Sequence, residues 1–108
     1  MSAADFTDLT IASLNETESF KRSGQLWEKV YNLSAPPPPL WVDEFHKVWA
    51  GARYEPKRHA RIENGLLITI CLAEEVENDH AHIRFLHAAV ARANAAYRQL
   101  LDAGVAPS

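Results

Sequence analysis

The chain has 108 residues, 47% of them hydrophobic and 23% charged, with a formal net charge of −3. That length fills one core and excludes two, so a single domain over 1–108 is expected. The acidic balance disfavours nucleic acid as a partner, because proteins that track phosphate backbones carry an excess of Lys and Arg, and a lone cysteine, Cys71, excludes an internal disulfide.

Residues 1–14 show no clear period. Phe6, Leu9 and Ile11 fit a short strand or a frayed helix, and the segment is read as a loosely ordered lead-in. It lacks the basic start and apolar run of a secretion signal. The longest apolar stretch, Leu66 to Ala73, is too short to span a bilayer. The expected location is cytoplasmic, with no membrane partner.

Asn15 followed by Glu16, Thr17 and Glu18 has the form of a helix start, in which a capping side chain and early acids satisfy the unpaired amides. Phe20, Trp27, Val30 and Tyr31 then recur at helical spacing, which predicts a first helix over 16–33 despite Gly24. The prolines within 35–39 end it, because they cannot continue a helix and run extended as a stiff connector. Trp41, Phe45, Val48, Trp49 and Ala52 share one helical face and predict a second helix over 40–51, stopped near Gly51.

A hairpin is expected around Asn64 and Gly65. A two-residue turn would pair Arg61 with Ile68, setting charge against aliphatic. A three-residue bulged loop pairs Ile62 with Leu66 and Ala60 with Ile68, so burial selects the bulged register. Leu66, Ile68, Ile70 and Leu72 then face the core, and Pro56 places the first strand at an edge. The last helix is expected over 79–103, with Ile83, Leu86, Val90, Ala93, Tyr97 and Leu100 as a seam at alternating intervals of three and four. Six of the nine residues from Ala88 to Ala96 are alanine, which invites close approach by a neighbour, and Gly104 is the expected stop. The expected fold class is α+β: two N-terminal helices joined by a polyproline connector, an antiparallel β-hairpin, and a long C-terminal helix packed on it.

Two polar groupings stand out. Lys57, Arg58, His59 and Arg61 form a basic row on or near one strand, suited to an acidic partner. With His87 and Arg92 on the long helix they are the candidate partner-binding residues. His87 sits beside the seam, so a half-buried imidazole there would make an interface sensitive to pH. Glu77, Asp79, His80 and His82 form the second grouping and are candidate ligands for a divalent metal. His80 and His87 would lie roughly 10 Å apart along a helix, too far to share one ion within a chain. No cofactor is expected, and Cys71 lacks an activating base nearby in sequence. The seam looks longer than one small chain can cover. The leading reading is therefore a cytosolic accessory, inhibitor or immunity-type protein that docks onto a partner protein and pairs with itself as a homodimer. The alternative is a small metal-binding or enzymatic domain built on the His and acid cluster 74–87.

Overall fold

In the computed structural model, which describes residues 6–19, 21–23, 26–53, 59–72 and 80–104, most of the expected first helix is sheet. Strand β1 spans Ile11–Leu14, β2 spans Lys21–Ser23 and β3 spans Leu26–Leu33. The expectation of two N-terminal helices is thus corrected. The domain is α+β, with helix α1 at Pro39–Gly51, strands β4 at Ala60–Glu63 and β5 at Leu66–Leu72, and helix α2 at His80–Asp102.

The reason lies in Leu-Trp-Glu-Lys-Val-Tyr-Asn-Leu, the sequence of β3. Its aromatic and β-branched residues suit a pleated surface. Trp27, Lys29, Tyr31 and Leu33 alternate with Leu26, Glu28, Val30 and Asn32, so the true period is two. Lys29 occupies an apolar slot in that alternation and is itself buried, with its ammonium 5.7 Å from the centre of the Tyr31 ring. That substitution conceals the period. The capping signal at Asn15 is locally real: its Oδ1 accepts from Glu18 N at 3.1 Å and its carbonyl accepts from Ser19 N at 2.9 Å. The turn simply does not propagate.

The sheet is antiparallel throughout, in the order β1-β3-β5-β4, with β2 pairing β3 beyond the end of β1. β1 and β2 act as one interrupted edge strand. In the interruption the Ser19 hydroxyl stands in for a missing rung, accepting from Val30 N at 2.8 Å and donating to Val30 O at 3.1 Å. Buried backbone groups need such partners. At the other edge, His46 of α1 accepts from Ile62 N at 3.0 Å through Nε2. The helix thereby blunts β4 against strand addition.

The hairpin takes the two-residue turn, which corrects the bulged register. Glu63 pairs Leu66, Ile62 pairs Leu67, Arg61 pairs Ile68 and Ala60 pairs Thr69. Asn64 and Gly65 both adopt positive φ, 53° and 77°. That is the turn whose twist matches the strands it joins. Ala60, Ile62, Leu67 and Thr69 therefore face the helices and are buried, and Leu66 and Ile68 face away. The apolar-to-apolar rule failed because Arg61 itself covers aliphatic surface. Its Nε binds Glu63 Oε2 at 2.8 Å and its Nη2 lies 3.7 Å from Glu28 Oε1. Since Glu28 is two strands away, the side chain crosses β5 between Ile68 and Ile70, and Ile68 is only 9% exposed.

The prolines connect β3 to α1 rather than two helices. Pro38 is extended at the N-cap, Pro39 opens the first turn, and Pro38 O accepts from Val42 N at 3.1 Å. α2 ends as expected at Gly104, whose φ of +87° is the left-handed helix stop. Both helices lie on one face of the sheet.

Leu86, Val90, Ala93 and Tyr97 of the seam are no more than 2% exposed, and Leu101 is 5% exposed. They pack among Phe6, Leu9, α1 and the inward face of the sheet. The seam is therefore consumed within one chain, which corrects the expectation that covering material runs short. The N-terminal segment supplies part of it. Leu9 is tied to Asn94, and Arg98 donates to Phe6 O and Asp8 Oδ1 at 2.8 Å each.

The Tyr97 hydroxyl is buried with no hydrogen-bond partner among the described residues. Burial pushes its phenol above the ordinary value of 10.0, because the phenolate would be poorly solvated. A raised folded value means the contribution is whole below the unfolded value and is lost as pH climbs through the folded one. Tyr97→Phe is expected to be neutral or stabilising by up to about 1 kcal/mol at neutral pH, since it removes an unsatisfied polar group. It should also flatten the fall in urea midpoint above about pH 10. A variant that loses stability at neutral pH would refute this account.

Candidate functional site

α1 and α2 run antiparallel. Trp41 near the start of α1 bonds Asn94 in the second half of α2, and Ala52 past the end of α1 shares a cavity with Phe85 in the first half of α2. Between their outward shoulders the two helices leave a groove. Its cavity of about 160 Å³ is lined by Val48, Ala52, Arg53, Phe85, Ala88, Ala89 and Arg92. The groove exists because Ala52, Ala88 and Ala89 are too short to fill the space that larger side chains would occupy.

Phe85 projects off the α2 seam and is 39% exposed, one of two large hydrophobic side chains so exposed among the described residues. Arg92 lies seven residues further along α2, about 10 Å up the axis on the same side. It is exposed and makes no hydrogen bond or ion pair among the described residues. Arg53 stands on the opposite shoulder, just past the end of α1. Its Nη1 donates to Ala50 O and Ala52 O, at 3.3 Å each. Ala50 O belongs to the last turn of α1, whose carbonyl end is negative, and Ala52 O follows just past it; together they hold the guanidinium in place. The site is thus an apolar floor between two cations, with no carboxylate in its lining, on a chain whose net charge is −3. Among the described residues the lining contains no nucleophile, general base or metal ligand.

The structure separates the residues singled out from sequence. Arg92 lines the groove. His87 is on α2 outside the lining and is exposed, so the half-buried imidazole expected there is corrected. Arg61 lies on the sheet face turned away from the helices, engaged by Glu63 and Glu28, which raise its already high pKa, chiefly through the Glu63 hydrogen bond. His59 is exposed beside it, with its carbonyl accepting from Ile70 N and the Thr69 hydroxyl. Arg61 and the groove residues therefore lie on different faces of the fold. Lys57 and Arg58 lie outside the described residues.

Glu77 and Asp79 also lie outside the described residues. His80 and His82 fall in the first turn of α2, where only the backbone is described. Among the described residues no group of three or more His, Cys, Asp or Glu side chains is placed to hold a metal ion. Cys71 pairs with Trp27 in the sheet. No helix among the described residues is long and apolar enough to cross a membrane.

Sequence reasoning missed Arg53 and Phe85. The available signal was weak: a phenylalanine off the seam of an alanine-rich helix, with an arginine two turns later. The opposite shoulder depends on where α1 packs, which no local pattern encodes. No protein-family model, no curated protein and no solved structure matches this chain.

Proposed function

We propose that this chain is a small protein-binding module, of the accessory, inhibitor or immunity type, whose contact surface is the α1–α2 groove. One observation carries the reading: an exposed phenylalanine and two arginines frame an apolar cavity on the outer side of the helices. Aromatic and arginine side chains around a small pocket are the composition of interface hot spots. Self-association remains part of the proposal only through a surface other than the α2 seam, which is buried in the chain's own core.

The test is site-specific photo-cross-linking in the source cell. A benzophenone side chain replaces Ala88 inside the groove, and in a control replaces Glu63 on the far side of the sheet. Position 88 is expected to give one specific protein adduct that position 63 does not, and Arg92→Glu should abolish it. No adduct from position 88, or the same adducts from both positions, would refute the docking reading.

A further inference from the structure

We infer that the groove takes an acidic segment of a partner protein, which inserts one aromatic or branched aliphatic side chain between Arg53 and Arg92. This rests on the docking reading above and names the chemistry of the partner.

Size decides between a side chain and a small molecule. Pockets that enclose metabolites and drugs run to about 300–1,000 Å³. The groove cavity is about 160 Å³. A cavity of about 150 Å³ holds benzene. The space therefore accepts one ring or one leucine-sized group and leaves the rest of the ligand outside, which is how a protein anchor binds.

Charge decides what flanks the anchor. Both hydrogen bonds of Arg53 to the end of α1 come from Nη1. A guanidinium carries five donors, so Nε and Nη2 stay available for a carboxylate. Arg92 on the other shoulder makes no bond among the described residues. A basic segment would meet two like charges, and a neutral one would leave both guanidinium groups without counter-charge. An acidic segment neutralises them, and does so on a chain whose remaining surface must carry the compensating negative charge, since the total is −3. A nucleic acid also offers anions and rings, and an oligothymidylate is therefore one of the competing probes.

The probe is a synthetic acetylated peptide amide, Glu-Glu-Phe-Glu-Glu, titrated into the full chain with amide chemical shifts as the readout. Shifts are expected at Ala52, Phe85, Ala88 and Arg92. The alanine-centred peptide and the lysine-flanked peptide should each bind about tenfold weaker or not at all. Arg92→Glu should weaken the acidic peptide by about tenfold with an unchanged thermal midpoint, because Arg92 is exposed. Arg53→Gln should act in the same direction. The inference is overturned if the acidic peptide moves no groove amide, if the lysine-flanked peptide binds as well, or if phenylacetate or an oligothymidylate binds tighter. The two proposals fail separately. A cross-linked partner whose contacting segment is basic or uncharged sinks the acidic anchor and leaves docking intact. Absence of any adduct from position 88 sinks both.

Discussion

Replacing Asn94 with leucine is expected to cost about 3–5 kcal/mol, a large share of the 5–15 kcal/mol that holds a small domain together. Asn94 is 5% exposed and joins three parts of the chain. Its Oδ1 accepts from Trp41 Nε1 at 2.8 Å and from Leu9 N at 3.1 Å, and its Nδ2 donates to Leu9 O at 2.9 Å. Leucine has nearly the same shape and none of the polar capacity. The change therefore strands an indole N–H, a backbone N–H and a carbonyl, each at about 1–3 kcal/mol when buried. The lower part of the summed range is expected, because Leu9 lies outside the strands and helices and its backbone groups can find water when the bond is lost. Asn94→Asp should fare little better, since it loses the donor to Leu9 O and buries a charge beside that carbonyl. Urea denaturation gives the size of the effect, and amide exchange at Leu9 reports its locus. Pairing the variant with Trp41→Phe should show non-additive losses, because the two residues share one bond. A cost below about 1 kcal/mol would mean that the polar node is decoration and that apolar packing alone seats the N-terminal segment.

What the amino-acid order reveals about this fold depends on how many structural levels a residue serves. α1 and α2 were legible because burial alone selects their inward positions. The aromatic ladder Trp41, Phe45 and Trp49 and the seam through Leu86, Val90, Ala93 and Tyr97 each record one helix face. β3 was not legible because Lys29 and Tyr31 share its inward face, and a buried lysine breaks the alternation by which a strand is recognised. Asn15 misled for a related reason: a capped turn is identical whether a helix follows or not. The hairpin register failed at Arg61, whose stem packs like an aliphatic residue while its head pairs with Glu63 and Glu28. Both faces of that hairpin bury apolar atoms, so polarity could not choose between the two registers, and the left-handed conformations at Asn64 and Gly65 did. Of the groove, Arg92 could be nominated from its place on an exposed helix face. Arg53 and Phe85 acquire meaning only from each other.

Phe45→Ala is expected to lose about 3–5 kcal/mol, comparable to the Asn94 change but by a different route. Phe45 is fully buried and stands at the centre of the α1 ladder, its ring 5.8 Å from Trp41 at 12° and 6.3 Å from Trp49 at 9°. Removing it takes away apolar burial and both stacked contacts, and leaves a void that two large indoles cannot close without moving α1. Phe45→Leu keeps most of the volume and should cost less than half as much. The near-ultraviolet dichroism of the tryptophans should collapse in the alanine variant and survive in the leucine variant. The consequence reaches the groove without touching it. Val48 is carried by α1, Ala52 follows directly on its end, and Arg53 is tied to the Ala50 and Ala52 carbonyls there, so a helix that shifts takes one whole shoulder with it. Under conditions where the alanine variant is still mostly folded, it should therefore bind the acidic peptide more weakly than wild type although every groove residue is retained. Full peptide affinity in a variant that has lost its tryptophan dichroism would show that the groove is set by α2 alone.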